Sequence, residues 1–250
     1  MPEVKLERQA AVAIITLAAP QRRNAFTVPM VEELIAACDD IDADATIGAV
    51  VLRAEGQSFC AGAHRALLDE AGRDPARPEN FTALGMAYRA FVRVGELQPP
   101  TIAAVRGHAV GAGVNLALAT DLRIIANTAR LLSGFLQIGL HPGGGHMALL
   151  GRLAGRETAA AMAVFGQEID GQRAVELGLA WEALPEADVE PRALALAELA
   201  GRDPALARAM AHSLRITLGP PPVAWPVALE AERGQQMWSL RRRAPAAPTP

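Results

Sequence analysis

Two glycine-bearing segments and a few histidines carry the chemistry open to this sequence. The first segment is FCAGA, Phe59 to Ala63, where small residues let ligand atoms approach the backbone closely. The second is VRGHAVGAGVNLALATD, Val105 to Asp121, an apolar run entering a Gly-rich turn that opens directly into a helix. The first N–H groups of a helix lack intrahelical partners and face the positive end of its dipole. They are therefore a place to hold negative charge developing on oxygen. Among proton-moving side chains, His64 follows FCAGA, His108 lies in the strand-to-helix turn, and His141 and His146 flank the turn HPGGGH. His64 is either an acid–base group at a pocket mouth or a partly exposed loop residue. His141 and His146 are either functional or rings that bond the free backbone of a tight turn. Their spacing across glycines is not a zinc-helix pattern. Asp69 and Glu70 read as solvated loop carboxylates, Asp121 as structural, and His108 as packed or backbone-bonded.

Several classes lose support. Gly107, Gly111 and Gly113 do not make GxGxxG, and neither GxxxxGK[ST] nor GxSxG occurs. Cys38 and Cys60 alone build neither a disulfide framework nor a zinc site, and read as reduced, partly buried thiols. A net charge of −3 gives no global pull towards nucleic acid or anionic membrane. The opening residues lack a signal-peptide h-region, and no apolar stretch reaches the ~18 residues of a membrane span, so a cytoplasmic location is expected.

The elements that must position these residues follow from periodicity. Residues 3–17 predict two short strands joined near Gln9-Ala10. Pro29 opens a helix with apolar residues at Val31, Leu34, Ile35, Cys38 and Ile41. GAVVLRA, TIAAV and LRIIA are short apolar runs expected as buried parallel strands. Residues 64–79, with Gly72, Pro75 and Pro78, read as irregular, and a helix is expected at 80–97. VNLALAT predicts a further helix. From 146 the pattern is helical, over 146–153, 156–164, 171–177, 191–200, 204–217 and 223–240, with one short strand near 180–184. This alternation predicts an α/β core over 1–190 and a helical region over 191–250 ending in a Pro-rich tail.

Taken together, RRNAF (Arg22 to Phe26), SFCAGA, PTIAAVRGHAVGAGVNLALATDLRIIA and GLHPGGG resemble the enoyl-CoA hydratase/isomerase family of the crotonase superfamily, with a weaker echo in EAER…MWSL. The resemblance implies an α/β spiral of strand–strand–helix turns with a helical C-terminal trimerisation region, assembled as a homotrimer or a dimer of trimers. It implies an acyl-CoA as the small-molecule partner, no separate cofactor and no metal. It also implies an oxyanion hole for the thioester carbonyl made by the N–H groups of Ala63 and Ala112. Ala61, Gly62 and Gly111 shape that hole. The loop carrying Arg22, Arg23 and Ala25 is implied to touch CoA. The arginines are either phosphate partners or a solvated basic pair.

The sequence also departs from the family. Where its hydratases carry two glutamates, this chain matches with Asn115 and Phe135. Asparagine orients water but does not take its proton near neutral pH, and phenylalanine does neither. The carboxylate slot of some isomerases matches Gly143, leaving His64, His141 and His146 as candidates for the missing acid–base role and Asn115 as a catalytic candidate that orients water. RRRAPAAPTP stands where relatives continue with a pocket-closing helix, and Trp225, Met237 and Trp238 read as core or subunit-contact residues. Three readings therefore stand: an enolate-stabilising acyl-CoA enzyme, a fatty acyl-CoA-binding protein with a relic site, or an inert scaffold or oligomer subunit.

Overall fold

The structure is a computed structural model and describes residues 2–73 and 77–219. The chain opens with β1 (Val4–Gln9) and β2 (Val12–Leu17), an antiparallel hairpin turning at Ala10. In α1 (Val28–Ala43), the Thr27 hydroxyl accepts from the Met30 N–H and Pro29 sits in the first turn, two signals that fix where the helix begins. Its buried residues Met30, Val31, Leu34, Ala37, Cys38 and Ile41 form one apolar stripe against the sheet.

Successive turns then lay down two strands followed by helix. The first comprises β3 (Ala49–Ala54), β4 (Ser58–Cys60), α2 (Arg65–Arg73) and α3 (Pro78–Gly95). The second is β5 (Thr101–Val105), β6 (His108–Val110) and α4 (Ala112–Ala119), and the third is β7 (Leu122–Ala126), β8 (Arg130–Leu132) and α5 (His146–Ala159). The chain continues through β9 (Ile169–Asp170), α6 (Gly171–Glu176), β10 (Glu182–Leu184), α7 (Glu186–Gly201) and α8 (Pro204–Thr217). In each turn the first strand joins a large sheet ordered β1-β2-β3-β5-β7-β10, parallel beyond the hairpin. The second joins a small sheet ordered β4-β6-β8-β9. The large sheet is covered on both faces, which is why β5 is buried along its whole length and reads as an unbroken apolar run. α7 packs across β3, β5 and β7 through Val189, Ala193 and Ala197, and residue 190 lies within it.

Three expectations change. Residues 65–73, expected to be irregular, form α2, because RALLDEA is rich in good helix formers and the Ala66 N–H donates to His64 Nδ1 at its start. Gly72 falls in the last turn, where it does no harm. The small sheet was not expected at all, since strands of two or three residues are too short to show a period. Cys38 and Cys60 are fully rather than partly buried, and burial pushes both thiols up to about 12, so they stay protonated. Gly155, at φ 81°, kinks α5 between the two helices expected there, and the chain then widens into a π turn over Ala160–Val164. Asp121 is structural, as expected: it accepts from the Thr101 N–H and hydroxyl and from Arg215, tying α8 to β5. The helix expected at 223–240, the tail, and Trp225, Met237 and Trp238 lie outside the described residues.

Candidate functional site

The passage from the large sheet to the small one is where both glycine-bearing segments turn. Gly62 (φ 83°) and Gly111 (φ 55°) take backbone conformations that L side chains rarely adopt, and each immediately precedes one of the two alanines. Ala63 pairs with Phe26 in an isolated parallel bridge. The Phe26 N–H donates to Gly62 O at 2.7 Å and the His64 N–H to Phe26 O at 2.9 Å. The alternation of the backbone then turns the Ala63 N–H away from Phe26. Ala112 is the first residue of α4, so its N–H has no carbonyl one turn back. Neither amide donates a hydrogen bond among the described residues. A side-chain carbon built on Gly62 would stand 3.2 Å from the Ala112 nitrogen, which brings the two segments into direct contact. One built on Gly113 would lie 2.0 Å from Cys60 O, so α4 seats backbone to backbone on β4.

Both alanines line one cavity of about 430 Å³, mostly apolar, closed by α2, α3 and the segment 133–143. Ala61, Gly62, Gly111, Phe135, His141 and Gly143 line it as well. His141 donates or accepts at Nδ1 against Pro142 O at 2.7 Å, the backbone contact expected of a turn histidine, and its ring is exposed. His64 caps α2 and is not part of that wall. Asp69 and Glu70 are exposed on α2.

A second cavity, of about 350 Å³, shares Ala61 and Val110 with the first and is lined also by Arg23, His108 and Arg130. Arg22 lines neither cavity: its guanidinium pairs with Glu3, and Nε donates to Ala25 O. Ala25 is buried. Between Arg23 and Ala25, Asn24 anchors the whole loop. Fully buried, its side chain accepts from the Ala19 N–H at 2.8 Å and donates to Glu55 O and Ser58 O at 2.9 and 2.8 Å. Asn24→Ala strands one donor and two acceptors away from water and leaves alanine at φ 54°. We expect a loss of about 3 kcal/mol, seen as a melting temperature roughly 10 °C lower by calorimetry.

Behind the first cavity lies a network that no spacing in the sequence announces. Asn115 and His146 are each only 1% exposed and Ser133 2%. Asn115 Nδ2 faces the carbonyls of Gly143 and Gly144 at 3.3 and 3.4 Å, and carbonyls only accept. Its Oδ1 therefore faces His146 Nδ1 at 2.6 Å, and that nitrogen carries the proton. His146 Nε2 is left as an acceptor, 2.7 Å from Ser133 Oγ, so the serine donates to it. Phe135 packs edge-on against the ring, with centroids 5.1 Å apart. Burial holds the imidazole down to about 4, so it is neutral at pH 7. His146 thus bonds side chains, not the free backbone of the turn. Ser133 was not among the sequence candidates, because a lone serine before Gly134 carries no signal of its own. It lines the cavity beside Phe135.

Comparison with known proteins gives a consistent picture. The enoyl-CoA hydratase/isomerase family profile matches residues 7–232. The probable enoyl-CoA hydratase EchA14 of Mycobacterium tuberculosis is 44% identical over 169 residues, covering 68% of this chain and 64% of that relative, so the match spans less than two thirds of its length. A probable enoyl-CoA hydratase of Rhodobacter capsulatus is 36% identical over 82% of this chain and 77% of its own. The crystal structure of an enoyl-CoA hydratase from Polaromonas sp. JS666 superposes with a TM-score of 0.86 at 27% identity, covering 95% of this chain and 91% of that one.

Proposed function

The chain belongs to the enoyl-CoA hydratase/isomerase family, and from that premise we propose that it is an acyl-CoA enzyme that holds the thioester carbonyl between the amides of Ala63 and Ala112. The observation that carries this reading is that two backbone N–H groups, unpartnered among the described residues, border one largely apolar cavity. Such a pair stabilises the oxyanion of an enolate or a tetrahedral adduct far better than it stabilises the ground-state carbonyl, which is the condition for catalysis. The mostly apolar wall suits an acyl chain, and in the adjoining cavity, where Arg130 pairs with Glu168, Arg23 supplies positive charge for the phosphates of CoA.

Proton transfer here differs from two-glutamate hydration. The side chains on the cavity wall that can move a proton are Tyr88, Ser133 and His141, among the described residues. Asn115 is turned away into its bonds with His146 and the Gly143–Gly144 carbonyls and does not line the cavity, so it does not meet the substrate directly. Assembly into a homotrimer or a dimer of trimers belongs to the same proposal, supported by the exposed apolar residues Leu136, Ile138, Val164 and Phe165.

Titration calorimetry with saturated and 2-enoyl thioesters of CoA, followed by the enone absorbance under turnover conditions, tests the reading. Saturable binding by the wild-type protein is expected. Absence of heat and of any melting-temperature rise across short and long acyl chains refutes it. Binding without any chemical change to an enoyl or saturated thioester leaves instead an acyl-CoA carrier.

A further inference from the structure

Ser133, His146 and Asn115 stand in the order hydroxyl, imidazole, amide, with donor–acceptor distances of 2.7 and 2.6 Å. We propose that they form a nucleophilic triad that hydrolyses acyl-CoA thioesters through an ester on Ser133. The proposal rests on the reading that this cavity holds such a thioester, and it names the reaction done there.

Four features of the geometry converge. The serine lines the same cavity as Ala63 and Ala112. The parallel register Ala109↔Leu131 and Val110↔Leu132 continues to Gly111 beside Ser133, and the Gly111 N–H donates to Leu132 O at 2.9 Å. Neighbouring strands lie about 4.8 Å apart, so Ser133 is one residue and one strand spacing from the Ala112 amide. The fixed orientation of Asn115 puts the imidazole proton on Nδ1 and leaves Nε2 bare towards the hydroxyl, the tautomer a general base requires. Finally, all three residues are buried, and Ser133 is the member of the network that lines the cavity while His146 and Asn115 do not.

The chemistry balances with water as the only co-reactant. Ser133 Oγ bonds to the carbonyl carbon while its proton passes to His146 Nε2, and the carbonyl oxygen takes the negative charge against the two amides. The carbon–sulfur bond then breaks and His146 protonates the leaving thiolate, giving free CoA thiol and an acyl ester on Ser133. In the second half, water bonds to the acyl carbon and gives a proton to Nε2. The carbon–Oγ bond breaks, and the proton returns to Ser133 as the carboxylic acid leaves. Asn115 is a positioning residue, acting through the imidazole.

The test uses the full-length protein. Release of thiol from saturated acyl-CoAs is followed with a thiol-reactive chromophore, alongside calorimetric binding of the same compounds. Wild type is expected to release thiol, and Ser133→Ala to bind normally while releasing at least about 1000-fold less. A fluorophosphonate probe is expected to label Ser133, located by peptide mass spectrometry, in wild type and not in His146→Gln. The ring contacts of His146 come from Asn115 on α4 and from Ser133 and Phe135 after β8, none of them charged. Asn115→Asp, placing a carboxylate on Nδ1, is therefore expected to move the acid limb of the rate profile to higher pH, which a merely structural asparagine would not do. Binding of acyl-CoA without thiol release, or Ser133→Ala as active as wild type, overturns the triad alone. Failure of wild type to bind any acyl-CoA overturns both this proposal and the reading beneath it.

Discussion

Replacing Ala112 by proline is expected to lower turnover of an acyl-CoA thioester about 100- to 1000-fold while the protein stays folded, since that is the range seen when one oxyanion donor is deleted. Ala112 is the first residue of α4, the helical position at which proline is best tolerated, because its missing N–H has no intrahelical partner to lose. The residue before a proline is pushed out of the α region, and Gly111, at φ 55° and ψ −116°, is already outside it. The substitution therefore replaces the N–H at the cavity with a ring methylene and costs no helix hydrogen bond. Ala112→Ser, which keeps the N–H, is the control and should stay near wild type. The comparison is made on kcat and on the dissociation constant of an acyl-CoA measured separately. The donor acts mainly on the transition state, so kcat should fall far more than affinity. Equal turnover in Ala112→Pro and wild type removes this amide from the reaction.

The second large effect is on stability in acid. His146 titrates at about 6.5 in an unfolded chain, and burial holds it down to about 4 in the native one. Between those values the unfolded state binds one proton more than the native state, so native stability falls as pH falls. The contribution is complete above pH 6.5 and is lost on the way down to pH 4. Its size is on the order of 3 kcal/mol, because the site is almost wholly shielded from solvent. Denaturant unfolding at intervals from pH 7.5 to 4.5 measures the slope, and His146→Gln, which cannot titrate, should lack it. Identical slopes in the two proteins would show that the imidazole is not the group responsible. Carboxylates held low, such as Glu3 beside Arg22 and Glu182 beside Arg192, add their own losses only below their ordinary range near 4.5.

Much of the framework was legible in the residues. GAVVLRA, TIAAV and LRIIA announced the parallel strands because a strand buried on both faces needs apolar side chains throughout. The helix start at Pro29 and the break at Gly155 followed from local backbone chemistry. The segment 65–73 was misread because Gly72, Pro75 and Pro78 were given more weight than the helix formers ahead of them. The small sheet was invisible because its strands are held by neighbours far along the chain and are too short to show alternation. The glycine-bearing segments pointed to Ala63 and Ala112, and both border one cavity. The Asn115–His146–Ser133 network escaped notice for a different reason. Its members are 31 and 13 residues apart, and nothing in either interval marks the partner. The loop glycines fold the turn over α4 and so make the meeting possible.

The contact between Gly113 and Cys60 O has an evolutionary consequence. The spacing of the Ala63 and Ala112 amides is set by main chain resting on main chain, with no side chain as a spacer. Ordinary substitutions around the pocket leave that gap unchanged. A lineage built on this scaffold can therefore exchange the side chains around the pocket one at a time and keep the spacing of these two amides throughout.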